Sequence, residues 1–255
     1  MLDSFQRCHC EPRLWRGEAI QMLQRDCFVV TLLAMTTTST PKIIYQDESL
    51  IVIEKPSGMP SVAAKPGMTD PDTVEGWLQK KNPNAKLVHR LDNNTSGLMV
   101  AAADDATYEK MRALWKTKEV VKKYTALVSG KTPPSGEITT PIAHHPRKKK
   151  KMIVGGDKAR PAYTEFKTIR HFKNQSLIEV QITTGVRHQI RVHLASIGHP
   201  LVNDKLYQKE KSLLANPLQR YFLHLSYLKF RHPETGKEIR LHSEMPEEIR
   251  LFLKL

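Results

Sequence analysis

Apolar side chains fall at every second position in several short runs of this chain, and turn formers separate the runs. Between Leu177 and Thr183, Ile178, Val180 and Ile182 alternate with Glu179 and Gln181, as in a strand with one buried face. Leu223–Arg231, the turn Pro233-Glu234-Thr235-Gly236 and Glu238–His242 read as a hairpin. Ile43-Ile44-Tyr45 and Leu50–Ile53 read as two strands split by Gln46-Asp47-Glu48, and Leu87-Val88, Leu98–Ala102 and Tyr124–Val128 as further strands. Three helices are predicted: residues 72–80 capped by Asp72, a second capped by Asp104 or Asp105 with Tyr108, Met111 and Trp115 on one face, and His188–Ile197 stopped by Gly198-His199-Pro200. Residues 141–162 read as irregular. Hairpin-linked strands that outnumber helices imply an α+β fold with a mixed, largely antiparallel central sheet and flanking helices.

Charge narrows the partner. Against 26 Asp+Glu stand 40 Lys+Arg, a formal net charge of +14 over 255 residues, and such an excess suits a polyanion. The longest apolar stretch, Cys27–Met35 (CFVVTLLAM), falls far below the roughly 20 residues of a membrane span. All three cysteines, Cys8, Cys10 and Cys27, precede Met35, so nothing in residues 35–255 calls for an oxidising compartment, and a cytoplasmic monomer is expected. Residues 1–40 read as a poorly ordered extension, such as translation from a start upstream of Met35 would add, ahead of a catalytic domain at 41–255. A secretory signal fits poorly because its charged region is long and carries acids. Cys8, His9, Cys10 and Cys27 lack the usual zinc spacing, so no metal is expected.

Four stretches carry groups suited to chemistry or binding. His89-Arg90-Leu91-Asp92-Asn93-Asn94-Thr95-Ser96-Gly97 places a carboxylate, a guanidinium and an imidazole in a loop between apolar strands; the same Asp and Asn would equally serve as turn formers. In Thr184–His199, Arg187, His188 and Gln189 fall at a helix start and Arg191 one turn later, while His193 could be a satisfied core histidine. Lys122-Lys123-Tyr124 sets charge beside a ring, as RNA stacking sites do, or is a tyrosine strand beside exposed lysines. Arg147–Lys151 offers a phosphate grip or a solvated loop. No Gly-rich phosphate loop, His-Glu-x-x-His or Cys-x-x-Cys motif occurs. Residue pattern alone stops at a basic α+β protein with a polar cleft that touches nucleic acid.

Five blocks, in order, resemble those of the RluA-type pseudouridine synthases. They are Lys55-Pro56-x-Gly58; His89-Arg90-Leu91-Asp92-x-x-Thr95-Ser96-Gly97-Leu98; Lys123-Tyr124-x-Ala126-x-Val128-x-Gly130; Thr184-Gly185-x-x-His188-Gln189-Ile190-Arg191-x-His193; and Leu223-His224-x-x-x-Leu228-x-Phe230-x-His232-Pro233-x-Thr235-Gly236. The resemblance runs from about Ile43 to Leu255 and implies the catalytic fold of that family, with a central cleft. It also implies the reaction: a uridine within ribosomal or transfer RNA is isomerised, without metal, cofactor or energy source. Its N-glycosidic bond breaks, the base turns, and a carbon–carbon bond forms to the same ribose.

By the same resemblance Asp92 is the catalytic aspartate, Arg191 pairs with it, Tyr124 stacks on the target base and Arg90 helps fill the place of the flipped nucleotide. The role of Asp92 as sugar nucleophile, ring nucleophile or ribose base stays open. His89, Thr95, Lys123, Arg187, His188, Gln189 and Leu194 are expected to bind RNA. The chain departs from the family in two places. Val186 stands where an arginine is usual, and Asn203-Asp204-Lys205-Leu206-Tyr207-Gln208 replaces Gly-Asp-x-x-Tyr-Gly, so that turn is expected to differ in shape. The small RNA-binding module of some relatives is not expected in residues 1–34, which leaves RNA selection to the catalytic domain and loops such as 141–162. A rival expectation is an RNA-binding or ribosome-assembly factor that keeps the fold and does not depend on turnover.

Overall fold

The computed structural model describes residues 40–65, 68, 70–208 and 220–254. The expected N-terminal extension lies outside the described residues, as do the three cysteines. Twelve strands and four helices are present among the described residues. The strands are β1 (Lys42–Gln46), β2 (Leu50–Lys55), β3 (Lys86–Leu87), β4 (Ser96–Ala102), β5 (Val121–Ser129), β6 (Ser135–Ile138), β7 (Ile142–His144), β8 (Met152–Val154), β9 (Thr164–His171), β10 (Gln175–Ile182), β11 (Leu223–Arg231) and β12 (Glu238–His242). The helices are α1 (Val74–Gln79), α2 (Asp105–Leu114), α3 (Gln189–Ser196) and α4 (Glu247–Leu253). No helix among the described residues is long and apolar enough to cross a membrane.

Ten strands form one sheet in the order β1-β2-β4-β11-β5-β10-β9-β6, with β12 beside β11 and β3 beside β4. Every pairing is antiparallel except β4 with β11, where Ser96 faces His224 and Gly97 faces Leu225. This is the mixed, largely antiparallel α+β architecture expected. The parallel pair lies at the middle of the sheet. All seven residues of β4 are buried, as befits a central strand covered on both faces. The strands approach so closely at Gly97 that a Cβ there would stand 2.3 Å from the Leu225 carbonyl oxygen, and Gly97 has φ +114°. Only glycine meets both conditions.

The main core joins β2, β4, β5 and β11 to α1 and α2, with Leu50, Val52, Leu98, Val100 and Leu225 fully buried. A second cluster packs Ile249 and Leu253 of α4 on Leu127, Leu177, Val202 and Phe222.

Several local expectations need correction. Thr73, rather than Asp72, caps α1: its hydroxyl oxygen accepts from the Gly76 N–H at 3.1 Å. Of the two caps expected for α2, Asp104 is the one used, through the Thr107 N–H at 2.9 Å. Residues 141–162 are not irregular. β7 and β8 pair in a hairpin whose Ile142 and Met152 pack with Ala162, Val186 and Val192. The Lys and Pro content of the tip conceals that apolar base. Val186, at the family's arginine position, is therefore a core residue beneath the hairpin. β6, β9 and α4 lie outside the elements read from the sequence: β6 and β9 carry few apolar residues, and α4 is only seven residues long. Asn203 adopts φ 65°, the left-handed conformation that glycine favours and asparagine tolerates, so the backbone requirement of that turn is met.

Candidate active site

A cavity of about 740 Å³ opens at the middle of the sheet, beside the start of the parallel strand pair. Asp92 lies on the loop that enters β4, Tyr221 lies two residues before β11, Tyr124 lies on β5, and α3 supplies Arg191. Four segments remote in sequence thus converge because the sheet brings their strands together.

The loop is shaped from below by Lys55. This lysine is fully buried at the end of β2, and its Nζ donates to the carbonyls of Pro56, Asn93 and Thr95, each at 2.8 Å. Three acceptors use all three hydrogens of an ammonium group. Burial, helped by the nearby charge of Arg220, pushes its pKa down to about 7, against the pull of Asp92. The Thr95 N–H donates to the Asp92 carbonyl at 3.0 Å and closes the turn. Arg220 Nη1 reaches the Asn94 carbonyl at 3.3 Å, and Ser96 Oγ meets His224 Nδ1 at 2.9 Å.

Arg191 is the centre of the charge arrangement. Its Nε and Nη2 donate to Asp204 at 2.7 and 2.9 Å, and its Nη1 donates to Asp92 Oδ2 at 2.9 Å. The side chain of Asp204 is 1% exposed and that of Asp92 29%. One carboxylate is therefore a buried anchor and the other faces the cavity. The guanidinium also lies 4.4 Å from the ring centre of Tyr221 and 5.2 Å from that of Tyr207. Burial opposes the charge on Arg191, but the Asp204 hydrogen bonds and the nearby Tyr221 and carboxylates outweigh it and push its pKa up. Burial raises the pKa of Tyr124 and Tyr221, and the Asp92 charge adds to it, so both hydroxyls keep their protons at neutral pH. His188 has φ 55°, and its Nε2 stands 3.7 Å from Asp92 Oδ2.

Of the residues singled out in the sequence, Asp92, Arg191, Tyr124, Arg90, Thr95, Arg187, His188 and Gln189 all line this cavity. Gln189 also ties the loop before α3: its Oε1 accepts from Thr184 Oγ1 and Val186 N, and its Nε2 donates to the Tyr163 carbonyl at 2.8 Å. Three others lie elsewhere. His89 stacks on Trp115 with ring centres 4.6 Å apart, and its Nε2 accepts from Val100 N–H at 3.1 Å. Lys123 points from the opposite face of β5 to Tyr124 and pairs with Glu179 at 2.9 Å. Leu194 is fully buried in the main core. His193 is a satisfied core histidine between Thr164 Oγ1 and the Thr140 carbonyl, both at 2.9 Å.

Sequence reasoning missed Asp204, Tyr207, Tyr221 and Lys55 as site residues. The motif around Asn203–Gln208 carried the signal for the first two. Cations border the cavity, with Arg90, Lys150, Arg160 and Arg187 in its lining, and Asp92 is the only acid among the described residues there. Among the described residues no group of His, Cys, Asp or Glu is arranged to hold a metal ion. A shielded carboxylate with a fixed cation beside it, in a cation-rimmed pocket, can act on an electrophilic carbon of a polyanionic substrate. Asp204 is committed to Arg191, so the paired free carboxyl groups of a typical hydrolase are not assembled.

Residues 49–196 match the model of the RNA pseudouridylate synthase family. A ribosomal large subunit pseudouridine synthase D of Zymomonas mobilis is 34% identical, over 95% of this chain and 83% of that protein. Its counterpart in Vibrio vulnificus is 33% identical, over 81% and 68%. Among solved structures, Human RNA Pseudouridylate Synthase Domain Containing 4 aligns with a TM-score of 0.66 at 25% identity, over 84% of this chain and 93% of that one. Human RNA Pseudouridylate Synthase Domain Containing 1 shares the fold, with a TM-score of 0.68 at 24% identity, over 81% and 84%.

Proposed function

This chain belongs to the RNA pseudouridylate synthase family, and we propose that it isomerises uridines of large-subunit ribosomal RNA with Asp92 as the reacting carboxylate. That it is an RNA pseudouridine synthase follows from the family. The choice of RNA is supported by the names of the relatives, which are ribosomal large subunit enzymes. The role of Asp92 is supported by one observation above all: it is the acid of the cavity, and a buried, doubly anchored Arg191 holds it from behind.

The chemistry follows from that placement. A uridine stacked in a helix cannot reach a carboxylate inside a pocket, so it must leave the stack at a cost of a few kcal/mol. Phosphate contacts from Arg90, Arg187, Lys150 and Arg160 on the rim offset this cost. The ribose and base then enter between the Asp92 loop and Tyr124. Arg191 stabilises the carboxylate as charge shifts during glycosidic cleavage, without a proton to exchange. Tyr124 offers its ring to the detached base, which turns before rejoining the same sugar.

The test is pseudouridine mapping of ribosomal RNA from cells that lack the protein and carry either wild type or Asp92→Asn. Wild type restores one or more modified positions and the variant restores none. Restoration by both would reject Asp92 as the reacting group.

A further inference from the structure

Two hydrogen bonds run from Met152 through Tyr207 to His188, whose far ring nitrogen faces the carboxylate of Asp92 at a longer distance. The Met152 N–H of β8 donates to the Tyr207 hydroxyl oxygen at 2.9 Å. That hydroxyl lies 2.9 Å from His188 Nδ1, and the two rings meet edge-on at 89°. His188 Nε2 in turn faces Asp92 Oδ2 at 3.7 Å.

One arrangement of hydrogens satisfies both bonds of the Tyr207 hydroxyl. Tyr207 receives from Met152 and gives its own hydrogen to Nδ1, which leaves the imidazole hydrogen on Nε2, pointing at Asp92. The opposite tautomer would leave the phenol hydrogen without an acceptor among the described residues and aim a nitrogen lone pair at a carboxylate oxygen. The histidine is neutral at pH 7, because burial and, after it, Arg191 and Arg187 push its pKa down to about 4 against Asp92. Burial pushes the Tyr207 hydroxyl up to about 12, so it keeps its proton to give. Arg191 already donates to Oδ2, and none of the described residues donates to Oδ1.

We propose that Tyr207 and His188 are positioning residues: Tyr207 fixes His188 in its Nε2–H form, and His188 presents that hydrogen to Oδ2 of Asp92, so that Oδ1 is the oxygen left for the nucleotide. The inference rests on the reading of Asp92 given above. It also ties the lysine-bearing hairpin to the reacting atoms, because Met152 begins the chain and belongs to β8.

Tyr207→Phe tests this, since it keeps the ring against Arg191 and removes only the hydroxyl. The substrate is large-subunit ribosomal RNA transcribed in vitro. We expect the single-turnover rate to fall by about tenfold or more while RNA affinity changes by less than about twofold. Nitrogen-15 NMR of histidine-labelled protein, with the His188 signals identified by their loss in His188→Gln, should show hydrogen on Nε2 in wild type and a mixture in the variant. Hydrogen on Nδ1 in wild type overturns the proposal. So does a variant with unchanged turnover, or one whose affinity falls as much as its rate. A wild-type protein that forms no pseudouridine on that RNA would reject the ribosomal assignment, while the NMR result alone would decide the tautomer.

Discussion

Arg191 grips Asp204 with Nε at 2.7 Å and Nη2 at 2.9 Å, which leaves Nη1 as its bond to Asp92. The three nitrogens of one guanidinium are thus divided between a carboxylate that sets its orientation and one that faces the cavity. Asp204→Ala should therefore lower unfolding stability by about 3–5 kcal/mol, because it strands a buried charge. Isomerisation should be lost as well, since Arg191 is then free to swing. Urea denaturation and a pseudouridine assay read both, and a wild-type midpoint would show that Asp204 does not anchor Arg191.

Lys55 has a comparable role beneath the loop. Replacing it by methionine removes the donor for three carbonyls in and beside the Asp92 turn. The Asn93 carbonyl keeps its bond from the Gly58 N–H at 2.9 Å, so the expected loss is about 2 kcal/mol or more, at roughly 1–3 for each of the other two acceptors left unpaired. Turnover should fall further than the remaining folded fraction accounts for, because the loop is no longer pinned. Activity per folded molecule equal to wild type would contradict this.

Acid should destabilise the fold through its buried histidines. Burial, with Lys122 adding to it, holds the pKa of His89 at about 3, and burial holds that of His188 at about 4, against 6.5 for a free imidazole. Unfolded histidines take up protons below about pH 6.5 that the folded ones refuse. Stability is then fully present above that pH and declines as pH falls towards about 4. Denaturation midpoints measured from pH 7 to pH 4.5 should show the decline, with a shallower slope in His89→Gln. An unchanged slope would place the loss on other groups.

Lys148, Lys149 and Lys150 sit exposed at the tip between β7 and β8. Their joint replacement by alanine should weaken RNA binding most at low salt. It should also flatten the dependence of log affinity on log salt, by about 0.7–0.9 for each phosphate that the tip neutralises in the wild-type complex. A salt slope identical to wild type would mean that the tip is solvated in the complex.

How much of this was readable beforehand depended on the range over which each signal acts. The closing hairpin is read with its strand limits, Leu223–Arg231 and Glu238–His242, because its pattern and turn are local. Asp92, Arg191 and Tyr124 come from a family motif, and the fold brings them to one cavity. Asp204 lies in a motif visible in the sequence, but its pairing with Arg191 depends on α3 lying beside the turn that follows it, which only the fold shows. Lys123 could have been set apart from Tyr124, because adjacent strand residues face opposite ways. Leu194 continues the apolar row of Ile190 four residues on, which marks core rather than surface. The hairpin at 142–154 was hidden by its tip, whose charge outweighs a base of few apolar residues.

The parallel docking of β4 on β11 has a consequence for how the protein comes into being. Ser96 and His224 touch across 128 positions of chain, and Tyr221 lies almost as far from the loop it borders. While the ribosome is still making the polypeptide, the aspartate loop emerges long before the strand and ring that will wall it in. Contacts of such long range form late. A half-synthesised molecule therefore carries the acid of the cavity on an unfinished scaffold, and the pocket closes only once β11 has been translated and slots into the middle of the sheet.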